Sequence, residues 1–290
     1  MIVVKLQGGL GNQMFQYALG RAVSLRKKTE LFLDIFSFKE DKLRKYTLDV
    51  FSVEQKFATK QDTYRFRKFK RKTGFIGKFY NILFARSDKY FNEKIFHFDP
   101  EIFDVSNDCY IDGYWNTEKY FKDIRPTILK DFSNKAPISG KNKEISESIA
   151  SKNSVSVHIR RGDYANDSVT RTTHGLLDKD YYYKAFDYIK NNVSNPALFV
   201  FSDDIPWVKD NLALPFPDTY IDWNADKPQE DMRLMSLCKH HIIANSTFSW
   251  WGAWLSQNPN KIVIGPKKWF NQVKPNVHTR DVMPESWIKI

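Results

Sequence analysis

The second half of the chain alternates short apolar runs with amphipathic stretches, and this alternation constrains the fold more than any other feature. Runs rich in Val, Ile and Phe predict strands at 154–159, 197–202, 219–223, 241–244 and 261–264. Apolar residues at helical spacing predict helices near 179–192, 205–212, 228–238 and 248–257. Strands that alternate with helices form βαβ units around a parallel sheet. We therefore expect a Rossmann-like C-terminal half.

Polar residues follow four of these predicted strands. They are Arg160-Arg161, Ser202-Asp203-Asp204, Asp222-Trp223-Asn224 and Asn245-Ser246-Thr247. Ligands of parallel α/β sheets bind beyond the carboxyl ends of the strands. The sequence thus predicts a ligand site where these four loops meet.

The segment His158-Ile159-Arg160-Arg161-Gly162-Asp163 points to an anionic ligand. A guanidinium has five donors and cannot lose its charge, so phosphate is the favoured partner. If the strand geometry continues, His158 and Arg160 point to one face and Arg161 to the other, so that one arginine meets a ligand while the other anchors the loop. Alternatively, both arginines form structural ion pairs, with Asp163 and another carboxylate.

A second anion site is predicted just before the aromatic helix that begins near residue 248. The hydroxyls of Ser246 and Thr247, together with the N–H groups of the first helical turn, can hold a phosphate. Either residue can equally be a plain N-cap.

The N-terminal half begins as a strand, a glycine loop and a helix. Residues 2–6 read as a strand, Gly8-Gly9-Leu10-Gly11 as the loop, and the following residues as a helix with one apolar face. The loop matches neither the dinucleotide fingerprint nor a P-loop. Its glycines permit close approach of a ligand, with Asn12 and Gln13 as hydrogen-bonding groups, or serve only as a packing turn.

The rest of this half is less well defined by the sequence. Further strands are predicted at 31–35 and 109–113, with a largely helical region between them by composition. Residues 133–143 resemble a linker, followed by a short helix at 144–150. We expect two domains, 1–143 and 144–290.

The net charge of +11 is concentrated in one segment, residues 60–89, which we call the basic tract. It contains ten Lys/Arg and two Asp/Glu, interleaved with aromatic residues. Such a mixture is typical of a helix on an anionic membrane surface, or of ordinary helices with solvated basic faces. No apolar run is long enough to span a membrane, so we expect a cytosolic protein. Cys109 and Cys238 are far apart and predict buried thiols rather than a disulfide or a zinc site.

Several motifs together resemble the α-1,2-fucosyltransferases of glycosyltransferase family 11. They are Gly8 to Tyr17, Gly113-Tyr114-Trp115, His158 to Tyr164, Phe201-Ser202-Asp203-Asp204 and Met232 to Leu255, of which His240 to Ala253 is the most specific. The resemblance runs from residue 1 to about residue 270. It implies a GT-B-like α/β fold with two Rossmann-like domains, the C-terminal one holding most of the donor nucleotide.

The resemblance also implies an inverting, metal-free enzyme that transfers L-fucose from GDP-β-L-fucose to the 2-hydroxyl of a β-galactoside in a surface glycan. In this family and its relatives, the position of Arg160 grips the β-phosphate and an acidic residue, here Asp231, reads guanine. The implied catalytic residues are Arg160, Asn12 and Asp163. The implied donor-binding residues are His158, Arg161, Asp231, Asn245, Ser246, Thr247, Phe248, Gly9 and Gly11.

Acidic residues raise two further questions. Asp178-Lys179-Asp180 matches the metal-binding DxD pattern but precedes a predicted helix whose N-terminus its carboxylates suit, and Asp203-Asp204 can hold arginines or ribose as easily as a cation. The general base is left open among Asp163, Asp167, His174 and Glu230, or none is needed.

Other functions remain open at this stage. The same site suits a glycosyltransferase with a different nucleotide sugar, and the aromatic and basic content also suits a carbohydrate-binding or nucleic-acid-binding module, although we expect no nucleic acid partner. The resemblance favours a bacterial cytosolic enzyme, held near lipid-linked acceptors at the inner membrane face by the basic tract. The sequence does not indicate an oligomeric state.

Overall fold

The computed structural model describes residues 1–67, 89–162, 172, 175–271 and 278–290. The chain divides into two compact units, Met1–Lys135 and Ala136–Ile290. The predicted domain boundary at 143 falls inside a helix that begins at Gly140, so the units separate eight residues earlier than expected.

The N-terminal unit contains a four-stranded parallel sheet. Its strands are β1 (Ile2–Lys5), β2 (Leu31–Asp34), β3 (Tyr90–Asn92) and β4 (Cys109–Asp112), in the order β2-β1-β4-β3. Its described helices are α1 (Leu10–Lys27), α2 (Lys60–Arg67) and α3 (Arg125–Asp131). Strands β1, β2 and β4 agree with the sequence prediction.

The prediction of a largely helical region between β2 and β4 is wrong for its described part. That part contains α2, strand β3 and three short 3-10 helices, at 36–39, 48–50 and 100–104. Composition carries no period, so it does not distinguish a long helix from single turns whose aromatic side chains pack individually.

The C-terminal unit contains a six-stranded parallel sheet. Its strands are β5 (Asn153–Ile159), β6 (Pro196–Ser202), β7 (Asp218–Ile221), β8 (His240–Ile242), β9 (Val263–Gly265) and β10 (Ile288–Lys289). They lie in the order β10-β9-β8-β5-β6-β7. If β5 is numbered 1 and the sheet is read from β7 to β10, this is the Rossmann order 3-2-1-4-5-6. Successive strands are added on one side of β5 up to β7 and on its other side from β8 onward, so the order reverses between β5 and β8.

Helices cover both faces of this sheet. They are α4 (Gly140–Ser151), α5 (Lys179–Asn192), α6 (Ile205–Asn211), α7 (Pro228–Leu237) and α8 (Thr247–Leu255). The odd residues of β5 face α5 and α6 in one core, and α4 and α7 pack on the other face against β6 and β7. Helix α8 packs against α7 and buries three tryptophans, Trp250, Trp251 and Trp254.

Cys109 and Cys238 are both buried and free, as the sequence predicted. Among the described residues, no helix is long and apolar enough to cross a membrane.

Candidate active site

The predicted polar loops meet at the carboxyl edge of the C-terminal sheet. Strand β5 lies between β8 and β6, so the loop after Ile159 is flanked by the loops after Ile242 and Ser202. The change of direction in strand order falls between β5 and β8, where loops diverge and leave a crevice. The centroid of the His158 ring lies 5.7 Å from that of Phe248, which joins the end of β5 to the start of α8.

Arg160 lies at the end of β5 and is held by Asp203 from the neighbouring strand. Its Nη1 lies 2.9 Å from Oδ2 of Asp203, and the other oxygen of that carboxylate accepts the Arg161 backbone N–H at 2.8 Å. A Cβ at Gly162 would lie 2.5 Å from Asp203 Oδ2, so a larger residue there would displace the Asp203 carboxylate. The Arg160 side chain is 25% exposed, which leaves it accessible to a ligand.

Arg161 is anchored on the opposite side of the strand. Its guanidinium carbon lies 3.6 Å from the centroid of the Trp207 ring and its Nε lies 3.3 Å from Asp204 Oδ2. The other oxygen of Asp204 caps α6 by accepting the Trp207 N–H. The strand alternation therefore continues through Arg161, which ties the loop to α6, and the Asp203-Asp204 pair holds the two arginines.

His158 is buried and neutral near pH 7. Burial, followed by the charge of Arg160, lowers its pKa to about 4. Its Nδ1 is buried without a hydrogen-bond partner in the described part of the chain, while its backbone oxygen accepts the Tyr182 hydroxyl. A neutral imidazole cannot supply a positive charge to a ligand, so Arg160 is the cationic member of this pair.

The loop after β8 leads into the N-terminus of α8. Ser246 is the N-cap, and its hydroxyl accepts the Phe248 N–H at 3.3 Å. Thr247 and Phe248 are partly exposed in the first turn. Asn245 is buried and donates to the backbone oxygens of Gly175 and Trp269, so it fixes this loop.

A cavity of about 370 Å³ opens beside Asn245, beyond β9. Lys184, Lys267 and Lys268 line it together with Asp178. Asp178 also caps α5 by accepting the Tyr181 N–H at 2.8 Å, which is the structural role predicted for the Asp178-Lys179-Asp180 pattern. The three lysines make this side of the edge basic.

Asp231 lies in the first turn of α7, where burial raises the pKa of its carboxyl to about 6. Asn224, from the loop after β7, donates to it at 2.8 Å. A carboxylate of this kind accepts hydrogen bonds and donates none, so it suits a ligand that presents N–H groups.

The glycine loop of the N-terminal unit is built around Gly8 rather than Gly9 or Gly11. Gly8 has φ +78°, and a Cβ there would lie 2.8 Å from the Asn12 amide nitrogen. Gly9 is the N-cap of α1, and a Cβ on it would meet no atom within 4 Å. Gly11 is buried within α1, so of the two predicted contacts only Gly9 borders open space.

The two glutamines after Asn12 are structural. Gln13 donates to the Gly8 and Lys45 backbone oxygens and accepts the Thr47 N–H, and it is fully buried. Gln16 links the ends of β1 and β4, since it accepts the Gln7 N–H and donates to the Gly113 oxygen. Asn12 itself is partly exposed.

Sequence reasoning missed the clamp that holds Gly113-Tyr114-Trp115. The carboxylate of Glu93 accepts the backbone N–H groups of Tyr114 and Trp115 at 2.8 and 2.9 Å, and burial raises its pKa. Trp115 is a buried non-glycine residue with φ +62°. No local pattern marks Glu93, which lies 20 residues before the loop that it holds.

Three of the four candidate general bases lie outside the described residues. They are Asp163, Asp167 and His174. Glu230 is described and lies 3.7 Å from Arg233 on the next turn of α7, so its carboxylate is paired with a cation. Within the described chain, no group of three or more His, Cys, Asp or Glu residues could hold a metal ion.

Comparison with known proteins identifies the family. The model of Glycosyl transferase family 11 matches residues 1–290. This chain belongs to glycosyltransferase family 11. The predicted resemblance is therefore confirmed, and the chain is a glycosyltransferase.

Two bacterial relatives of this family 11 chain match it over nearly its whole length, and a mammalian relative matches half of it. It is 36% identical to the alpha-1,2-colitosyltransferase of Escherichia coli over 295 residues, 100% of this chain and 99% of that protein. It is 32% identical to the O-antigen biosynthesis glycosyltransferase WbnK of Escherichia coli, with 98% and 99% covered. The galactoside 2-alpha-L-fucosyltransferase Sec1 of Mus musculus is 28% identical over half of this chain and 41% of its own length.

Solved structures confirm the predicted α/β, GT-B-like fold of this family 11 protein. A variant of Arabidopsis thaliana FUT1 in complex with GDP has a TM-score of 0.56 at 11% identity and covers 92% of this chain and 71% of that one. The fucosyltransferase NodZ from Bradyrhizobium has a TM-score of 0.51 at 14% identity, with 91% and 94% covered.

Proposed function

We propose that this protein is an inverting α-1,2-fucosyltransferase that moves L-fucose from GDP-β-L-fucose to the 2-hydroxyl of a β-galactoside in a surface glycan. The observation that carries the proposal is the position of Arg160 directly after β5, at the point where the Rossmann strand order reverses, with His158 at the end of the same strand 5.7 Å from Phe248 in the first turn of α8. Ligands of such sheets bind at this point. The two full-length bacterial relatives support both the glycan and the α-1,2 linkage.

Arg160 is the proposed contact of the leaving diphosphate. Breaking the bond between fucose C1 and GDP puts negative charge on the departing phosphate oxygen, so preorganised cationic donors there stabilise the transition state. Asp203 fixes the guanidinium at 2.9 Å before the donor arrives. Arg161, held by Trp207 and Asp204, keeps the loop in place.

The start of α8 is the proposed second phosphate contact. Because Ser246 already caps the helix, Thr247 and the N–H groups of the first turn supply the donors for an anion. We propose that the adjacent rings of Phe248 and His158 line the donor site between these two contacts. Asn245 holds this loop in place, because its side-chain amide donates to the backbone oxygens of Gly175 and Trp269.

Asp231 is the proposed reader of the nucleobase. Guanine presents two adjacent N–H groups, on N1 and N2, and a carboxylate accepts both. Uracil presents a single N–H flanked by two carbonyl groups, and a carboxylate repels the oxygens of both. Asp231 therefore favours a GDP donor over a UDP donor.

In the N-terminal unit, Gly9 is a proposed contact of the donor and Asn12 a proposed contact near the reacting sugar. Asp163 is the proposed catalytic carboxylate for the acceptor hydroxyl. The reaction needs no metal in this scheme, because Arg160 and the α8 N-terminus neutralise the diphosphate. We expect turnover in excess chelator to equal turnover without it, and a loss restored by Mg²⁺ or Mn²⁺ would contradict the scheme.

The proposal is tested by incubating the protein with GDP-fucose and a panel of α- and β-galactosides. We expect a new α-linkage at O2 of a β-galactoside, located by NMR from the coupling constant of the fucose anomeric proton and the shifted H2 of galactose. UDP-sugars are the matched control for the donor. Transfer from UDP-sugars alone, or fucose attached at another hydroxyl, would contradict the proposal.

A second candidate function is α-1,2-colitosyl transfer, which the relative at 36% identity favours. Colitose is L-fucose without its 3-hydroxyl, so the two donors differ by one hydroxyl. A site that hydrogen-bonds this hydroxyl rejects the deoxy sugar by about 10⁴-fold, whereas an apolar site discriminates by about 10²-fold or less. The ratio of kcat/KM for the two GDP-sugars therefore distinguishes the two functions.

A further inference from the structure

A chain of hydrogen bonds connects a tryptophan to the Asp231 carboxylate, and we call it the amide relay. The Trp223 indole N–H donates to Asn142 Oδ1 at 2.8 Å. Asn142 Nδ2 donates to Asn224 Oδ1 at 3.0 Å, and Asn224 Nδ2 donates to Asn142 Oδ1 at 3.1 Å. Asn224 Nδ2 also donates to Asp231 Oδ1 at 2.8 Å.

The chemistry of the indole fixes the direction of this relay. An indole N–H only donates, so it selects the oxygen of the Asn142 carboxamide. The Asn142 NH₂ group then faces Asn224, and this selects the Asn224 oxygen as its acceptor. The Asn224 NH₂ group is left facing Asp231, which must accept.

The relay comes from three separate elements of the C-terminal unit. Asn142 lies in the first turn of α4, Trp223 and Asn224 lie in the loop after β7, and Asp231 lies in α7. Asn224 is 5% exposed, so its carboxamide is shielded from water. A buried donor to a carboxylate favours the ionised form of that carboxylate.

Other charges around Asp231 act on it as well. Burial is the largest effect and raises its pKa, Asn224 lowers it, and the charge of Glu230 raises it. Glu230 is itself paired with Arg233, and Lys141 on α4 lies 3.5 Å from the centroid of the Trp223 ring. The remaining charged residues of the loop before α7 are exposed: Asp222, Asp226 and Lys227.

We infer that Asn142 and Asn224 are positioning residues that hold Asp231 as a hydrogen-bond acceptor for the N–H groups of the donor's nucleobase. This inference rests on the proposed function, which assigns the base to Asp231. The relay acts on donor binding through Asp231 and touches neither the diphosphate nor the acceptor. Its loss therefore weakens binding of GDP and changes the pH at which binding fails.

The test measures GDP binding by calorimetry between pH 5 and pH 9, so that it does not depend on transfer. Asn224→Asp keeps the shape of the side chain but replaces the donor with a second carboxylate, and like charges raise the pKa of one of the pair. We define the acid limit as the pH below which GDP affinity falls. We expect Asn224→Asp to raise this limit by about one pH unit or more, so that GDP affinity below the limit is about tenfold lower than that of the wild type. The affinity should recover toward pH 9. Trp223→Phe, which leaves Asn142 without its fixed orientation, should shift the limit in the same direction by less.

Asn258→Asp is the matched control. Asn258 donates to the Lys239 oxygen in the same unit and belongs to neither the relay nor the proposed site. We expect its GDP affinity and pH dependence to equal those of the wild type. Thermal midpoints show that each variant folds, and if Asn224→Asp does not fold, Trp223→Phe decides the question.

Asp231→Asn separates the two ways in which the inference can fail. If Asp231→Asn binds GDP as the wild type does, the assignment of the base to Asp231 is wrong. If Asp231→Asn weakens binding but Asn224→Asp leaves the acid limit unchanged, the relay inference is overturned and the proposed function stands. In the double variant we expect no loss beyond that of Asp231→Asn, whereas an additional loss would show that Asn224 acts on structure alone.

Discussion

Arg160 and Arg161 are adjacent in sequence, but their guanidinium groups lie in different surroundings. Arg161 is stacked on Trp207 and paired with Asp204, while Arg160 is paired with Asp203 and remains a quarter exposed. This difference follows from the alternation of side chains along β5. It supports the proposed roles of Arg161 as the anchor of the loop and of Arg160 as the ligand contact.

Replacing Arg160 tests this assignment directly. We expect Arg160→Ala to lower kcat by about a hundredfold or more, because it removes a preorganised charge at the leaving group. The kcat of Arg160→Lys should lie between those of the wild type and Arg160→Ala, since an ammonium keeps the charge but not the planar fork of the guanidinium. Steady-state kinetics with GDP-fucose and the accepted galactoside measure both.

The control for this prediction is Arg26→Ala, which removes an exposed arginine paired with Asp123 in the N-terminal unit. Its turnover should equal that of the wild type. Near wild-type turnover in Arg160→Ala would remove Arg160 from the mechanism.

The buried imidazole of His158 makes stability depend on pH. Its pKa is about 4 in the fold and about 6.5 in the unfolded chain, so the unfolded state binds more protons between these values. The contribution is fully present above pH 6.5 and is lost as pH falls toward 4, by about 2 to 3 kcal/mol at pH 4.5. We expect His158→Gln to flatten this part of the pH dependence in urea unfolding followed by circular dichroism.

Exposed His278 provides the comparison for His158. His278→Gln should retain the wild-type dependence of unfolding free energy on pH. If the unfolding free energy of His158→Gln depends on pH as that of the wild type does, the fold does not lower the pKa of His158.

At the residue scale, the sequence predicted side-chain types and faces better than partners. The alternation of His158 and Arg161 was predictable because it depends only on neighbouring residues. The pairing of Asp203 and Asp204 with the arginines was only one of several alternatives in the sequence, since these carboxylates lie more than 40 residues away and Asp163 is closer. Asn142 carried no signal at all, because its role depends on contacts with residues about 80 positions later.

At the scale of elements, the glycine loop of α1 contains two adjacent glycines with different requirements. Gly8 has φ +78° and packs against Asn12, whereas Gly9 has φ −74° and borders open space. Only the first of these conformations penalises an L side chain. Gly8 is therefore a structural requirement, and Gly9 is available for a ligand.

We expect Gly8→Ala to lower the free energy of unfolding by about 1–2 kcal/mol from its backbone alone, and to displace Asn12 as well. Gly9→Ala should stay within about 0.5 kcal/mol of the wild type. Urea titrations of the two variants measure this difference. Equal destabilisation by both would contradict the assignment of Gly8 as the strained position.

Gly9→Ala also distinguishes the two interpretations of the loop. If its stability is normal and GDP binds less tightly, a ligand approaches the backbone at Gly9. If GDP binding is normal, the glycines serve only the turn.

The elements of the C-terminal unit were predicted closely because each strand is an apolar run followed by a polar loop. Helix α5 was predicted at its observed bounds, and Asp178 caps it as its sequence suggests. Strand β10 was missed because it has two residues, too few to show a period. Strand β3 was missed for the same reason, with three residues.

At the scale of the whole molecule, the sequence predicted two α/β units but not their sheet orders. Strand order depends on which strands pair, and Val155 pairs with Leu198 on one side and with His240 on the other. Such pairings between distant residues leave no mark in a single sequence. The unit boundary was displaced because Gly140 and Lys141, which read as linker, begin helix α4.

The basic tract gives a prediction that concerns the whole protein. In its described part, Phe66 is buried, Arg65 stacks on it, and Tyr64 is exposed; residues 68–88 lie outside the described structure. We propose that the tract holds the enzyme on an anionic membrane surface, near lipid-linked acceptors. The protein should then sediment with vesicles that contain anionic lipid, and less so as salt increases.

Neutral vesicles are the control for this experiment, together with a variant in which Lys70, Arg71 and Lys72 are replaced by glutamate. The wild type should not sediment with neutral vesicles, and the variant should not sediment with anionic vesicles. Equal sedimentation of the variant and the wild type would overturn the proposed membrane contact of the tract.

Seven of the eight tryptophans lie in the C-terminal unit, and three of them are buried together in α8. Trp250 and Trp254 are nearly parallel, with ring centroids 6.1 Å apart. Tryptophan fluorescence of the intact protein therefore reports mainly on the unit that contains Arg160. Emission and backbone ellipticity, recorded in one denaturant series, would separate the unfolding of the two halves without any label.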